Sequence, residues 1–365
     1  MRPTTPPRFG RSPLLVDLIA EVERLSTRVA AAPLEARTAL ARTATPAAAT
    51  ASLVLDGARR EAIPDRAAAE RSVASRLPPA DDQREVARAS GSWLDTLRVL
   101  DDGDDAELRA LEVLGVLAAD DADDLTDQVL RDPGTVLVEL HRRLTRGLVA
   151  DERVGQPRTT DQAVHDGSTG RIVFLTPEPA QIPRELSLLE LWLATTGARE
   201  HGLIASGVLH FELLRLHPFD AANGRLARAA ARLVLRARGL DPDHLAAPEI
   251  PLAADPLGYH EEVASTLRRR DLTVWLERWG EAVADGLRDA ARELGVLEAA
   301  PGEAARRFAA ATPAFTIAEY RGALGSGPQG SRAELAALLD AGLISRVPGS
   351  RGLRFRRRGS AADAT

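Results

Sequence analysis

Before residue 300, almost nothing in this sequence reads as a β-strand, and that feature constrains the fold most. The exception is Ile172-Val173-Phe174-Leu175, a short β-like run stopped by Pro177 and Pro179. Elsewhere apolar residues recur at helical spacing. Leu18, Ile19, Val22, Leu25, Val29 and Leu40 predict a helix over 14–43. Alanine-rich stretches follow at 46–52 and 66–76, then an acidic helical region at 92–130 and an amphipathic segment at 135–149. Helices resume over 183–216 and from about 224 to 238, where Gly239 suits a C-terminal cap. Two more fall within 256–298, so the expected body is all-α with one small hairpin.

Composition narrows the chemistry. A chain of 365 residues with 44% hydrophobic content has room for two or three domains. It contains no cysteine, which excludes disulfides, zinc–thiolate sites and thiol catalysis. All 47 basic residues are arginine, so no lysine Schiff base or phosphate-binding lysine is available. The net charge of −6 argues against a nucleic-acid coat. No apolar run is long enough to cross a membrane, and Asp17 interrupts Leu14-Leu15-Val16 where a signal peptide would continue. The expectation is a cytoplasmic protein that does not engage a membrane.

The pattern changes near residue 300. Helix-like pieces at 303–311, 316–324 and 331–341 precede two short strands, 344–347 and 353–356. Three helices and a hairpin outline a winged helix.

The chemistry concentrates in His217-Pro-Phe-Asp-Ala-Ala-Asn-Gly-Arg-Leu-Ala-Arg228. A histidine at the end of an apolar helix is held by Pro218 and anchored by Phe219. Small residues then open a helix carrying Arg225 and Arg228 on one face. Free N–H groups and the helix dipole favour an anion at such an end. A neutral imidazole beside it suits hydroxyl attack on a phosphoryl group. Spacing alone equally allows a capped helix with a structural histidine and arginines paired to acids.

The segment resembles the signature of the Fic family, HPFx(D/E)GNGRxxR, at seven of nine informative positions; Ala221 and Ala222 differ. Leu140-His141, Gly155-Gln-Pro-Arg158, the run from Ile172 and His210-Phe211 are similar to further family landmarks, so the resemblance covers roughly 14–290. It implies a mainly α fold: a Fic-type helical core with a β-hairpin flap, plus a C-terminal winged helix. The corresponding divisions are an N-terminal helical region at 1–85, a core at 86–300, a winged helix at 303–358 and a disordered tail at 359–365.

By this resemblance His217 is the base that deprotonates a Ser, Thr or Tyr hydroxyl of a target protein. Phe219, Asn223, Gly224, Arg225 and Arg228 form the nucleotide site, and AMP passes from ATP to the target. The flap at 172–179 clamps the target by strand addition. The family's metal carboxylate falls at Ala221, so no metal ligand is assigned and any Mg²⁺ site is weakened. Asp220, one residue earlier, is expected to cap the following helix.

Ser52-Leu-Val-Leu-Asp56-Gly57 is similar to the family's inhibitory motif, which implies that Asp56 pairs with Arg228 and that Ser52 and Gly57 frame it. Inhibition of this kind often accompanies dimerisation in the family, so a homodimer is among the expectations. The second module suggests DNA or protein contact through Arg332 and the wing residues Arg346, Arg351, Arg354, Arg356, Arg357 and Arg358. The alternative function is a degenerate or altered-donor member, acting as a nucleotide-sensing regulator through that module.

Overall fold

In a computed structural model of the protein, the structure describes residues 8–74, 102–165, 172–297, 300–350 and 352–358. Of residues 1–10, whose Pro/Thr/Arg-rich composition predicts no structure, 1–7 lie outside them, as do the expected tail at 359–365, Arg351 and the stretch 75–101. Arg8 and Gly10 are instead tied down: Arg8 O accepts from Leu272 N–H, and Gly10 N–H donates to Thr273 Oγ1. What is described is mainly helical, as the periodicity implied.

The helix expected over 14–43 is two. Helix α1 (Pro13–Ala31) stops at Ala32, and α2 (Leu34–Leu55) starts after Pro33. Proline cannot donate the next helix hydrogen bond and disfavours helix in the residue before it. The alanine-rich residues 46–52 then continue α2 around Pro46. Helices α3 (Arg66–Ala74), α4 (Asp102–Asp120) and α5 (Pro133–Leu144) follow. The polar stretch after α5 contains strand β1 (Ala163–His165), which pairs antiparallel with β2 (Ile172–Leu175).

Helix α6 (Ile182–Thr195) leads to α7 (Gly202–Leu216), which is apolar on every side and buried at all but one position. A helix without a polar stripe must be surrounded by others. Helix α8 (Asn223–Ala237) covers one side of it. After the short α9 (Glu249–Leu252) and α10 (Pro256–Arg269), α11 (Thr273–Glu293) covers another. Trp275 and Trp279 of α11 donate their indole N–H groups to Gly207 O and Ser206 Oγ, at 2.8 and 2.9 Å. A Cβ on Gly207 would lie 2.7 Å from Leu276 and Trp279, so glycine permits this close approach.

The C-terminal unit has its own apolar core, built on Phe315, Tyr320, Leu338, Ile344 and Phe355. It comprises α12 (Glu303–Ala311), β3 (Ala314–Thr316), α13 (Ile317–Leu324), α14 (Pro328–Asp340), β4 (Ile344–Arg346) and β5 (Arg354–Arg357). Strand β3 was not legible beforehand; it completes an antiparallel sheet in the order β3-β5-β4.

Charge ties this unit to the main body. Buried Arg346 reaches Asp17 at 2.9 Å, and Arg24 of α1 reaches Asp340 at 2.9 Å. Arg346, read as a wing cation for phosphate contact, is instead enclosed by acids of α1 and α11. Among the described residues, no helix is long and apolar enough to cross a membrane.

Candidate functional site

Helix α7 delivers His217. Its final turn closes with His217 N–H bonded to Leu213 O, and His217 then takes a left-handed conformation at φ 44°. That region costs a non-glycine residue on the order of 1 kcal/mol and is sustained only where the surroundings fix it. Here Pro218 and Arg158 fix it. Buried Arg158 donates Nε–H to His217 O at 2.7 Å, and its backbone N–H to Pro218 O at 2.9 Å. It also donates to Thr176 Oγ1 and Pro177 O, which joins the histidine turn to the end of β2.

A carbonyl oxygen only accepts, so the 2.6 Å contact between His217 Nδ1 and Leu214 O places the ring proton on Nδ1. Nε2 is then the free lone pair. Burial pushes the imidazole down to about 4, although Leu214 O and Asp56 favour its charged form. His217 is therefore neutral, and able to accept a proton, at pH 7. Phe174 of β2 meets the ring edge-on at 6.4 Å.

The loop from Pro218 to Ala222 is held from within. Asn223 Oδ1 accepts from Phe219 N–H at 3.0 Å, and its amide donates to Phe219 O at 2.8 Å. Phe219 is fully buried and stacks on His141 at 4.3 Å. Gln162 donates to the carbonyls of Phe219 and Asp220 at 3.2 and 3.1 Å, a role with no sequence signal because Gln162 lies in the polar stretch before β1. Contrary to the expectation from the sequence, Asp220 does not cap α8. Its carboxylate is ion-paired with Arg153 at 2.7 Å, and the N-cap position of α8 is Ala222, which offers no side-chain cap.

Ala222 sits at φ 58°, where alanine is strained. Ala222→Gly is expected to stabilise the fold by about 0.5–1 kcal/mol. Urea unfolding checks this; a loss of stability would contradict it.

At the start of α8 the helix ladder opens with Leu226 N–H to Ala222 O. The N–H groups of Asn223, Gly224 and Arg225 thus point out of the helix end without helix partners. One anion already lies there. A Cβ on Gly224 would be 2.6 Å from Asp56 Oδ1, so the Asp56 carboxylate rests over this glycine.

Asp56 closes the C-terminus of α2 and accepts from Arg228 Nη2 at 2.6 Å; Arg225 Nε is 3.4 Å from its other oxygen. Ser52, one turn earlier, takes Arg228 twice: Nε–H to Oγ at 2.8 Å and Nη2–H to the carbonyl at 2.9 Å. Gly57 follows at φ 92° and turns the chain away. Burial alone would push the Asp56 carboxyl up, but Arg228 and Arg225 overcome it and hold the group below the ordinary carboxylate range. Arg225 also pairs with Glu112 of α4 at 3.2 Å. Among the described residues, its Nε and Nη1 have no hydrogen-bond acceptor. The structure thus gathers His217, Asn223, Gly224, Arg225, Arg228, Ser52 and Asp56 around one helix end, with Phe219 beneath the loop.

His141 supports this arrangement, accepting from Gly155 N–H at Nδ1 (3.0 Å). Burial pushes it down to about 4, against its ordinary 6.5. Between those values the unfolded chain binds a proton that the folded chain does not. The stability this confers is complete above pH 6.5 and is lost as pH falls toward 4. The contribution is on the order of 3 kcal/mol. Urea unfolding at pH 7 and pH 5 should show the drop, and His141→Gln should reduce it, leaving the share of other buried imidazoles such as His217.

A divalent cation, which the family resemblance implies, does not fit the residues present. Position 221 is a buried alanine, and Asp220 is engaged by Arg153. Asp56 and Glu112 are each paired with arginine.

Residues 134–235 match the model of the Fic/DOC family. A curated relative, "Protein adenylyltransferase Fic" of Nematostella vectensis, is 26% identical over 107 residues, which are 29% of this chain and 23% of that protein. The chain therefore matches under a quarter of that relative's length. A Fic family protein from Desulfovibrio desulfuricans G20 has the same fold, with a TM-score of 0.60 at 22% identity, over 98% of this chain and 99% of the other. The site lies within the matched segment apart from the α2 and α4 residues that face it, and this chain carries a domain of the Fic/DOC family.

Proposed function

We propose that the protein transfers AMP from ATP to a Ser, Thr or Tyr hydroxyl of a target protein, and that Asp56 holds it inactive. One juxtaposition carries this reading: a neutral histidine with its Nε2 lone pair free, beside a helix N-terminus with two buried arginines. The histidine supplies the base, and the helix end with its arginines supplies a polyphosphate site.

The target hydroxyl oxygen attacks the α-phosphorus of ATP, and its proton passes to His217 Nε2. The bond from the α-phosphorus to the oxygen bridging to the β-phosphate breaks. Pyrophosphate leaves, and AMP remains esterified to the target. Arg225 and Arg228 carry the charge that accumulates on the leaving group, acting from a buried setting where such contacts are strong. The target lies along β2, where Ile172 and Leu175 are exposed, with a groove of about 540 Å³ against α10 beside them.

The test is intact-mass and peptide mapping after incubating Asp56→Gly protein with ATP, CTP, GTP or UTP. Addition of AMP to a hydroxyl residue supports the reading. A different nucleotide adduct moves the donor, and bound nucleotide without any adduct replaces transfer by sensing. The missing carboxylate at Ala221 favours that second reading, a nucleotide-sensing regulator.

We read the C-terminal unit as a winged helix docked on the body. Arg332 and Arg354 are exposed for phosphate contact. A DNA contact would appear as a salt-dependent shift of duplex DNA, abolished by Arg332→Glu with Arg354→Glu. A homodimer remains part of the reading through the inhibitory segment, and sedimentation measures it.

A further inference from the structure

Resting on the nucleotide site just described, we infer that this chain binds its nucleotide as the free polyphosphate rather than as a magnesium complex, with Arg153 withdrawing the loop's one carboxylate. Magnesium at a phosphate site is normally held by one or two carboxylates together with the phosphates. The loop between His217 and Asn223 offers only Asp220. Both Nε and Nη2 of Arg153 bind the same oxygen of it, at 2.9 and 2.7 Å, and Arg153 is itself tied to Pro157 O at 3.4 Å. The backbone carbonyl of Asp220 is engaged as well, by Gln162 at 3.1 Å. Its neighbour Ala221 is 3% exposed and carries no oxygen in its side chain.

Charge compensation comes from elsewhere in the same site. Arg225 and Arg228 are 2% and 1% exposed at the side chain, and their forks face the end of α8. Arg225 keeps Nε and Nη1 without acceptors among the described residues. Departure of Asp56 frees one N–H of Arg228 Nη2, the other staying on Ser52 O. Guanidinium donors need no carboxylate to hold them and meet phosphate oxygens directly. A hydrated dication would compete with them for those oxygens. Arg153 is thus a positioning residue: it fixes Asp220 away from the phosphates.

Isothermal titration of Asp56→Gly protein with ATP tests this, in EDTA and in magnesium chloride. The affinity in EDTA should equal that in magnesium within about twofold, or exceed it. Adding Ala221→Asp should create a dependence, with ATP bound about fivefold or more tighter in magnesium than in EDTA. Binding by Asp56→Gly that strengthens about fivefold with magnesium would overturn the inference while leaving the nucleotide site intact. Loss of that response in Asp220→Asn would then identify Asp220 as the ligand. Binding in neither buffer would remove the nucleotide reading and this inference together.

Discussion

Replacing Asp56 with glycine should tighten ATP binding by roughly 10- to 100-fold and release transfer activity to a similar extent. The Asp56 carboxylate lies over Gly224 and takes Arg228 at 2.6 Å, so phosphates must displace it before they can use the helix end. A charge-assisted, partly buried contact of this kind is worth on the order of 1.5–3 kcal/mol, and that is the penalty expected for ATP in the wild type under the proposed function.

The same change has a second, opposite effect. Arg228 keeps its bonds to Ser52 but loses its counter-ion, and a buried charge left unpaired destabilises the fold by roughly 1–3 kcal/mol. The Asp56→Gly protein should therefore melt lower than the wild type without nucleotide, and saturating ATP should restore it by mass action. Calorimetry and thermal melts read both signs. An unchanged ATP affinity would mean that Asp56 is a surface partner of Arg228 and not a latch.

His217→Ala, placed in the Asp56→Gly background, should reduce transfer by about 10²- to 10⁴-fold while ATP affinity stays within about twofold. His217 donates Nδ1–H to Leu214 O and makes no bond within the phosphate-binding set, so binding and proton transfer separate. The pH profile carries a further sign. With the imidazole held at about 4, the neutral base is present across pH 6–9 and the rate should be flat there. It should fall only as acid approaches pH 4, where the ring protonates. Asp56 favours the charged ring, so its removal moves the limb lower still. A limb near pH 6.5 would show that the ring is solvated during turnover.

Much of this site was legible because its chemistry sits in one short segment. The run from His217 to Arg228 contains the histidine, the turn and both arginines, and local spacing puts them at one helix end. Pairing of Asp56 with Arg228 spans 172 residues and came from resemblance to a known motif. Local physics could not supply it, because nothing in α2 encodes which helix end it will meet.

Three features escaped the sequence for identifiable reasons. Asp220 looked like a helix cap because aspartate commonly caps; only the fold brings Arg153, 67 residues away, against it. Strands β1 and β3 have three residues each, too few for alternation to register. The wing arginines looked uniformly available, yet Arg346 is drawn inward by Asp17, Glu21 and Glu281, which belong to helices distant in sequence. The net charge of −6 averages these acids with the arginines they neutralise and is silent on the pairing.

The most direct test of the account is transfer of label from α-labelled ATP by the Asp56→Gly protein, with and without His217→Ala. Label should appear on protein hydroxyl groups in the first and be lost in the second, with ATP still bound in both. Tight ATP binding by Asp56→Gly protein with no label on itself or on any added protein would contradict it, leaving a nucleotide sensor in place of a transferase.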